Sequence, residues 1–242
     1  MDLERFLMPS EQAPPENMEN MSAEMQEFLA FNEAEEAKEA DITFTEGGFD
    51  FFGGYHPGRI QEISEEAKEQ DPTLHELSES VEEWLPQGEM YSCAVACQTM
   101  VYNQSAENNV SEKQMIDLGK ELGVYNHQGT CPADEGKILE SLGYTIERTT
   151  NGTLSQLENA AESDKKVIVH VDSLKLAFPY VQTPCTPDHA VQVLRVEDTE
   201  NGEMVIINDP ASENGGEAYP IEVFQRAFNG DMTVISKEGN NG

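Results

Sequence analysis

The chain has 242 residues, 47 of them acidic and 14 basic, and its formal net charge is -33. So negative a surface repels phosphate, which excludes a general nucleic-acid binder or a protein that binds anionic membranes. The sequence has neither an apolar run of about 18 residues, as a membrane-spanning helix requires, nor a secretory signal. We therefore expect a protein that is cytoplasmic, or exported without a cleavable signal peptide, with its four cysteines reduced.

The first third of the chain predicts an acidic arm (residues 1–84) rather than an independent domain. Residues 1–86 hold 23 acidic and 4 basic side chains and little β-branched sequence. Two apolar stripes at helical spacing predict short helices in it: Met18, Met21, Met25, Phe28 and Leu29, and then Leu74, Leu77, Val81 and Trp84. Three interpretations stay open: short helices packed on the next domain, a pro-segment or partner-binding arm, or adaptation to salt.

The remaining residues, 85–242, predict one α+β domain that begins with helices. An apolar stripe predicts a helix from about Cys93 to Asn103. Ser111 is typical of an N-cap, and Gly123 is typical of the residue that ends the following helix. A third helix is expected over about 133–142.

Closely spaced strands follow these helices, which is typical of a mostly antiparallel sheet. The most continuous β-branched run, KVIVHV at 166–171, predicts a buried strand. The other predicted strands are 144–148, 190–196, 204–209 and 233–235, and short helices are predicted at 154–161 and 221–228.

Four residues of this domain predict nucleophilic catalysis. Cys93 stands where a helix begins, and free backbone N–H groups there favour a thiolate. His189 begins one predicted strand and Asp209 ends the next, so a hairpin between these strands would place the two side chains together. Gln87, six residues before Cys93, is positioned to donate to an oxyanion together with the backbone N–H of Cys93.

Cysteine and histidine also serve in protein cores and in metal sites. A lone cysteine is more often structural than catalytic, and Cys97, one turn after Cys93, is expected in the core. A zinc site is disfavoured because no second close Cys or His pair completes a ligand set. His127 is the one competitor for the catalytic base, whereas His170 lies inside a buried strand and is expected to be a core residue.

The region around Cys93 resembles that of a known family. The stretch QGEMYSCAVACQTM at 87–100 is similar to the nucleophile region of the bacteriocin-processing, double-glycine peptidases, which are papain-like domains of bacteriocin-exporting ABC transporters and also occur as free-standing proteins. Further similar blocks follow in order at 129–148, 151–171, 188–197 and 204–230.

The resemblance implies a papain-like cysteine peptidase fold over residues 85–242. It implies a Cys93/His189/Asp209 triad with Gln87 in the oxyanion hole. We expect neither a metal site nor a cofactor. Ala94 departs from the family's usual glycine, but alanine suits a helix start. No transporter segment follows in this sequence, so we expect a free-standing member.

These residues predict a cysteine protease that acts on proteins or peptides. A side-chain deamidase and a non-catalytic interaction module on the same fold are the alternatives. The resembled family cleaves after Gly-Gly, and the acidic arm carries two such pairs, Gly47-Gly48 and Gly53-Gly54. The arm is therefore a candidate partner of its own domain, as a masking segment or a self-cleavage site.

Overall fold

The computed structural model describes residues 41–106, 108–163, 165–199 and 202–237. The helix predicted from Met18 to Leu29 lies outside these residues. Within them, the chain from Asp41 onward groups into one unit of contacts.

Eight strands form one antiparallel sheet in the spatial order β1-β4-β9-β8-β7-β6-β10-β5. A two-stranded hairpin, β2–β3, stands apart from it. The strands are β1 (Ile42–Thr45), β2 (Gly48–Phe49), β3 (Tyr55–His56), β4 (Gly58–Ile63), β5 (Tyr144–Thr149), β6 (Lys166–Val171), β7 (His189–Thr199), β8 (Gly202–Asn208), β9 (Glu217–Pro220) and β10 (Phe228–Lys237).

Helices cover both faces of this sheet, and several of them begin at side-chain caps. The helices are α1 (Glu65–Gln70), α2 (Pro72–Glu82), α3 (Cys93–Asn103), α4 (Glu112–Glu121), α5 (Lys137–Ser141), α6 (Leu154–Ala161), α7 (Ser173–Ala177) and α8 (Ile221–Ala227). Ser111 and Thr153 each form a capping box, which explains why α4 and α6 start where they do. The α+β class and the antiparallel sheet predicted from the sequence are confirmed.

The side chains of β6 alternate between the two faces of the sheet, and this explains its continuous apolar sequence. Val167, Val169 and Val171 pack into the core beneath α6 and α8, whereas Ile168 joins the core around α3 on the other face. Both faces of this strand are covered, so it needs apolar residues at almost every position. The predicted strand at 166–171 has these same bounds.

Residues 41–84 contribute to the same sheet, which differs from the expected separation at residue 84. β4 pairs with β9, and β1 pairs with β4 at the sheet edge. Leu74 and Leu77 of α2 pack with Ile206 of β8, so the apolar stripe of this helix is covered by the sheet. The boundary cannot be read from composition, because the acidic residues of this segment face solvent while a few apolar ones join the core.

The helix expected over 133–142 is divided in two. A 3-10 turn covers Pro132–Asp134, and α5 begins only at Lys137. Between them Gly136 adopts φ +79°, a left-handed conformation that interrupts a right-handed helix. A Cβ at Gly136 would lie 3.0 Å from methyl groups of Ile146 and Thr233, so the glycine also permits close packing on the sheet.

Gly136 and Gly123 provide a matched test of this packing. Both have positive φ, but a Cβ at Gly123 would meet open space. We expect Gly123→Ala to lower the free energy of unfolding by about 1 kcal/mol, the cost of the left-handed backbone alone. Gly136→Ala should cost about 1–3 kcal/mol more because of overpacking. Urea denaturation measures both, and equal losses would contradict the packing role of Gly136.

Candidate active site

Cys93 is the first residue of α3, the helix buried at the centre of the molecule. Its thiol is half-buried, and Ser92 before it makes no side-chain cap to the helix. Instead, Ser92 Oγ donates to the carbonyl oxygen of Glu89 and accepts from the Glu89 N–H, which fixes the incoming loop. The first backbone N–H groups of α3 therefore lack a side-chain acceptor, and their partial positive charge lies at the helix start that carries Cys93.

His189 and Asp209 come together as the strand order predicts. β7 and β8 are antiparallel neighbours, and Gln192 pairs with Asn208 in their register. Asp209 follows β8 directly, and its Oδ1 lies 2.6 Å from His189 Nε2. The carboxylate therefore engages Nε2 and leaves Nδ1 without this bond.

The imidazole of His189 is biased strongly toward its charged form. Burial by itself disfavours that charge, but the hydrogen bond to Asp209 and the interaction with Cys93, with the negative charges of both, outweigh burial and raise the pKa of His189 to about 10. The site therefore holds the imidazolium over the whole physiological range. Such an environment supports a thiolate–imidazolium pair.

Three hydrogen bonds hold Asp209 and the next residue, Pro210, in place after β8. The Ala211 N–H donates to Asp209 Oδ1 at 2.7 Å, beside the histidine bond. Trp84 Nε1 donates to the Asp209 carbonyl oxygen at 2.8 Å, and the Gln87 N–H donates to the Pro210 carbonyl oxygen at 2.8 Å. Trp84 was missed as a site residue because its helical spacing indicated only packing.

The side chain of Gln87 lies in the same cleft but is engaged elsewhere. Its Nε2 donates to the carbonyl oxygens of Glu89 at 3.1 Å and Met90 at 3.0 Å. Its Oε1 is buried and has no hydrogen-bond partner among the described residues. Donation to an oxyanion would require this amide to release one of its two carbonyl partners.

A cleft of about 340 Å³ opens beside the His189–Asp209 pair. It is lined by Gln87, Tyr55 of β3, the α7 residues Ser173, Leu176 and Ala177, Asp188 before β7, Ala211 after β8 and Tyr219 of β9. The Tyr55 and Tyr219 rings lie 5.9 Å apart and form an aromatic wall. The sequence carried no signal for either tyrosine.

The β2–β3 hairpin brings both glycine pairs of the acidic arm close to this cleft. Gly48 lies in β2, and Gly53 and Gly54 lie in the tight turn before Tyr55. The Asp50 carboxylate accepts from the Gly54 N–H at 2.8 Å, which closes the turn. Phe51 at its tip is 96% exposed.

The other candidate histidines occupy different positions. His127 is exposed in the turn between Asn126 and Gly129. His170 is buried on β6, as predicted, with Nε2 3.3 Å from an oxygen of Glu135. Glu135 is fully buried, and its carboxylate has no hydrogen-bond partner among the described residues.

Cys97 is completely buried, as expected from its place one turn after Cys93. Its Sγ lies 3.4 Å from the Ala190 carbonyl oxygen, as a weak donor. Burial, and then the negative charges of Glu135, Cys93 and Asp209, raise the pKa of Cys97. This thiol therefore stays protonated, unlike a nucleophile.

Two general features of the described residues bear on the site. No group of three or more His, Cys, Asp or Glu side chains among them is arranged to hold a metal ion. In that same part of the chain, no helix combines the length and the apolar character needed to cross a membrane.

Comparisons with known proteins give structural likenesses only. No family model matches the chain, and no curated protein matches it. The peptidase domain of Streptococcus ComA, a bi-functional ABC transporter of a quorum-sensing pathway, is 19% identical with a TM-score of 0.49, over 64% of this chain and 98% of that one. A double-glycine motif protease from an AMS/PCAT transporter, in complex with the leader peptide, is 21% identical with a TM-score of 0.47, over 63% and 89%.

A C39-like peptidase candidate from Bacillus anthracis is 16% identical with a TM-score of 0.48, over 64% of this chain and 94% of that one. At these identities and scores, function must be inferred from the site itself. The chain is similar in structure to double-glycine peptidase domains, the family that its sequence resembles.

Proposed function

We propose that this protein is a thiol hydrolase, specifically a cysteine peptidase that hydrolyses peptide bonds. The observation that carries the proposal is the His189–Asp209 hydrogen bond of 2.6 Å beside an open cleft, with Cys93 at the start of a buried helix and its charge acting on His189. A nucleophile, a base and a group that orients the base are the three parts that covalent acyl transfer requires.

In the proposed reaction, His189 Nδ1 holds the proton that Cys93 releases, and the thiolate attacks the substrate carbonyl carbon. Asp209 keeps the imidazolium oriented through Nε2 and balances its charge. The imidazolium then protonates the leaving amine, and the Cys93 acyl enzyme forms. Water, deprotonated by His189, attacks this thioester and releases the acid product with free Cys93.

The oxyanion of the tetrahedral intermediate needs donors near Cys93. We assign this role to the backbone N–H of Cys93 together with Gln87 Nε2. The Gln87 amide turns from one of its two acceptors, the carbonyl oxygen of Glu89 or that of Met90, when substrate enters. This costs one hydrogen bond, which the charge-assisted bond to the oxyanion replaces.

The proposed substrate is an extended peptide with small residues at the cleavage site. Tyr55 and Tyr219 narrow one side of the cleft, and glycine lets a backbone pass a narrow wall because it has no side chain. Cleavage after Gly-Gly is the specificity that the sequence resemblance implies. No cofactor is required in this mechanism.

The protonation state of the pair can be tested without a substrate. Since the pKa of His189 is raised to about 10, the imidazolium persists as pH rises to that value and is lost above it. We expect iodoacetamide to alkylate Cys93 at mildly acidic pH faster than the exposed Cys131 and Cys185, as measured by mass spectrometry. Equal slow alkylation of all thiols would favour an interaction module instead.

Substitutions test the assignment of roles. We expect Cys93→Ala and His189→Ala to abolish activity, and Cys93→Ala to lower the free energy of unfolding by at most about 1 kcal/mol. Asp209→Asn should be severe but weaker, because the base loses its orienting charge. His127→Ala is the matched control and should remain active. Full activity of His189→Ala with an inactive His127→Ala would identify the other base.

The substrate can be found by mass spectrometry of cell proteins exposed to wild type or Cys93→Ala. New peptide termini that depend on Cys93 support a peptidase. A mass change of side-chain amides without new termini would instead identify a deamidase.

We further propose that the acidic arm masks the cleft or is cleaved by it. Both glycine pairs are close to the cleft. The Gly53-Gly54 turn has to open before the peptide bond after Gly48 or the one after Gly54 can be cleaved. Wild type should slowly lose its N-terminus after Gly48 or Gly54, whereas Cys93→Ala stays intact. Deletion of residues 1–54 should raise activity on peptides. A wild type that stays full-length, with truncation having no effect, would end this proposal.

A further inference from the structure

The loop that carries Asp209 is closed by one buried side chain. Asn208, the last residue of β8, is fully buried, and its Oδ1 accepts from the Gly216 N–H at 3.0 Å. The loop between β8 and β9 comprises residues 209–216. The Asn208 amide therefore ties the last residue of this loop back to the residue that precedes Asp209.

The same amide attaches the loop to α2. Asn208 Nδ2 donates to the carbonyl oxygen of Ser80 at 2.7 Å, so both polar atoms of this buried amide have partners, as burial requires. Just beyond α2, Trp84 Nε1 donates to the Asp209 carbonyl oxygen at 2.8 Å. The end of α2 and the residues after it thus hold Asn208 by its side chain and Asp209 by its main chain.

Gly215 lets the loop lie close against this end of α2. A Cβ at Gly215 would lie 2.6 Å from Trp84 Cβ, 2.7 Å from the Val81 carbonyl oxygen and 2.7 Å from Asn208 Oδ1. A side chain at this position would therefore push the loop away from its contacts. The hydrogen bonds and the close packing act on the same short loop, which begins with the partner of His189.

Ser80 also connects this loop to α3, the helix of Cys93. The Ser80 carbonyl oxygen accepts a second hydrogen bond, from Gln104 Nε2 at 3.3 Å, and Gln104 is the C-cap of α3. Gln104 and Gln192 of β7 exchange two amide hydrogen bonds, of 2.7 and 3.1 Å. One amide network therefore joins α2 to the three elements α3, β7 and β8, which position the proposed catalytic residues.

We propose that Asn208 is a positioning residue for the His189–Asp209 pair and acts by holding the 209–216 loop against the end of α2. This inference rests on the proposed function, and it makes α2 part of the catalytic unit although α2 precedes the region that resembles a peptidase. Asp209 Oδ1 lies 2.6 Å from His189 Nε2, so a loop that moves by about 1 Å takes this pair out of hydrogen-bond range.

Two measurements on Asn208→Ala in the full chain test this role. Hydrogen–deuterium exchange with mass spectrometry reports how often the loop at 209–216 opens. Alkylation of Cys93 by iodoacetamide at mildly acidic pH, relative to the exposed Cys131 of the same molecule, reports the chemistry of the site. We expect faster exchange in the loop and a Cys93 to Cys131 rate ratio about tenfold lower, because misplacement of a positioned group by about 1 Å can cost up to about 100-fold in rate.

Asn103→Ala is the matched control. Asn103 is also a buried asparagine whose amide closes a loop: its Nδ2 donates to the Val110 carbonyl oxygen at 3.1 Å, and its Oδ1 accepts from the Val110 N–H at 2.9 Å. It lies at the other end of α3 from Cys93. Its loss should lower the urea midpoint to a similar extent and leave the alkylation ratio unchanged. An equal fall of the ratio in Asn103→Ala would show that the ratio follows stability, and it would overturn the positioning role.

Trp84→Phe keeps the proposal testable if Asn208→Ala does not fold. This change keeps an aromatic ring and removes the N–H that donates to the Asp209 carbonyl oxygen. We expect the alkylation ratio to fall by about threefold, less than in Asn208→Ala, because the loop keeps its other hydrogen bonds. An unchanged ratio in whichever of the two variants fold, established by circular dichroism, would overturn the positioning role.

Failure of the proposed function gives a different result. Wild-type Cys93 would then be alkylated no faster than Cys131, which would count against the triad and the inference together. A wild-type preference for Cys93, combined with faster loop exchange and an unchanged ratio in Asn208→Ala, would overturn the positioning role alone.

Discussion

The hydrogen bond between His189 and Asp209 is the interaction on which the rest of the site depends, because both side chains are largely buried. A buried charge that loses its partner costs about 3–5 kcal/mol, so each residue must be held where the other can reach it. The antiparallel register of β7 and β8 brings the backbones together, and the N–H of Ala211 and the indole of Trp84 fix the aspartate loop. The position of Cys93 is then set by the start of one helix, α3.

The segment from Asp41 to Trp84 joins this arrangement although its composition is that of a solvated arm. In α2, Leu74 and Leu77 are buried while Glu76 and Glu79 are exposed, so a few apolar residues are enough to pack a highly acidic helix. The same segment supplies Trp84 to the carbonyl of Asp209, Arg59 to Glu217 and Tyr55 to the cleft. The acidic side chains of this segment therefore face solvent, while other residues of the same segment support the site.

Burial of carboxylates is a recurrent constraint in so acidic a protein. Glu217 lies beside the guanidinium of Arg59 and the hydroxyl of Tyr219, whereas Glu135 lies 3.3 Å from the imidazole of His170. Each of these two buried acids thus lies beside a basic group from a different element. The chain has only 14 basic residues against 47 acidic ones. The positions of these few cations therefore indicate which carboxylates have a structural role.

The amino-acid sequence by itself determined the local features of this protein. The apolar period of α3, the Ser111 and Thr153 caps and the β-branched run of β6 act over a few residues, so pattern and propensity were sufficient to locate those elements. The sequence also indicated that His189 and Asp209 would meet, because a hairpin between consecutive strands is a short-range connection.

Only the tertiary structure decided which distant residues contact one another. Trp84 reaches Asp209 across 125 positions of the chain, and Arg59 meets Glu217 through the pairing of an N-terminal strand with a late one. No local period encodes such contacts, since they arise from the order in which strands assemble into the sheet. Gly136 also depends on distant residues. Its left-handed backbone divides a predicted helix, and the side chains of Ile146 and Thr233 occupy the space next to it.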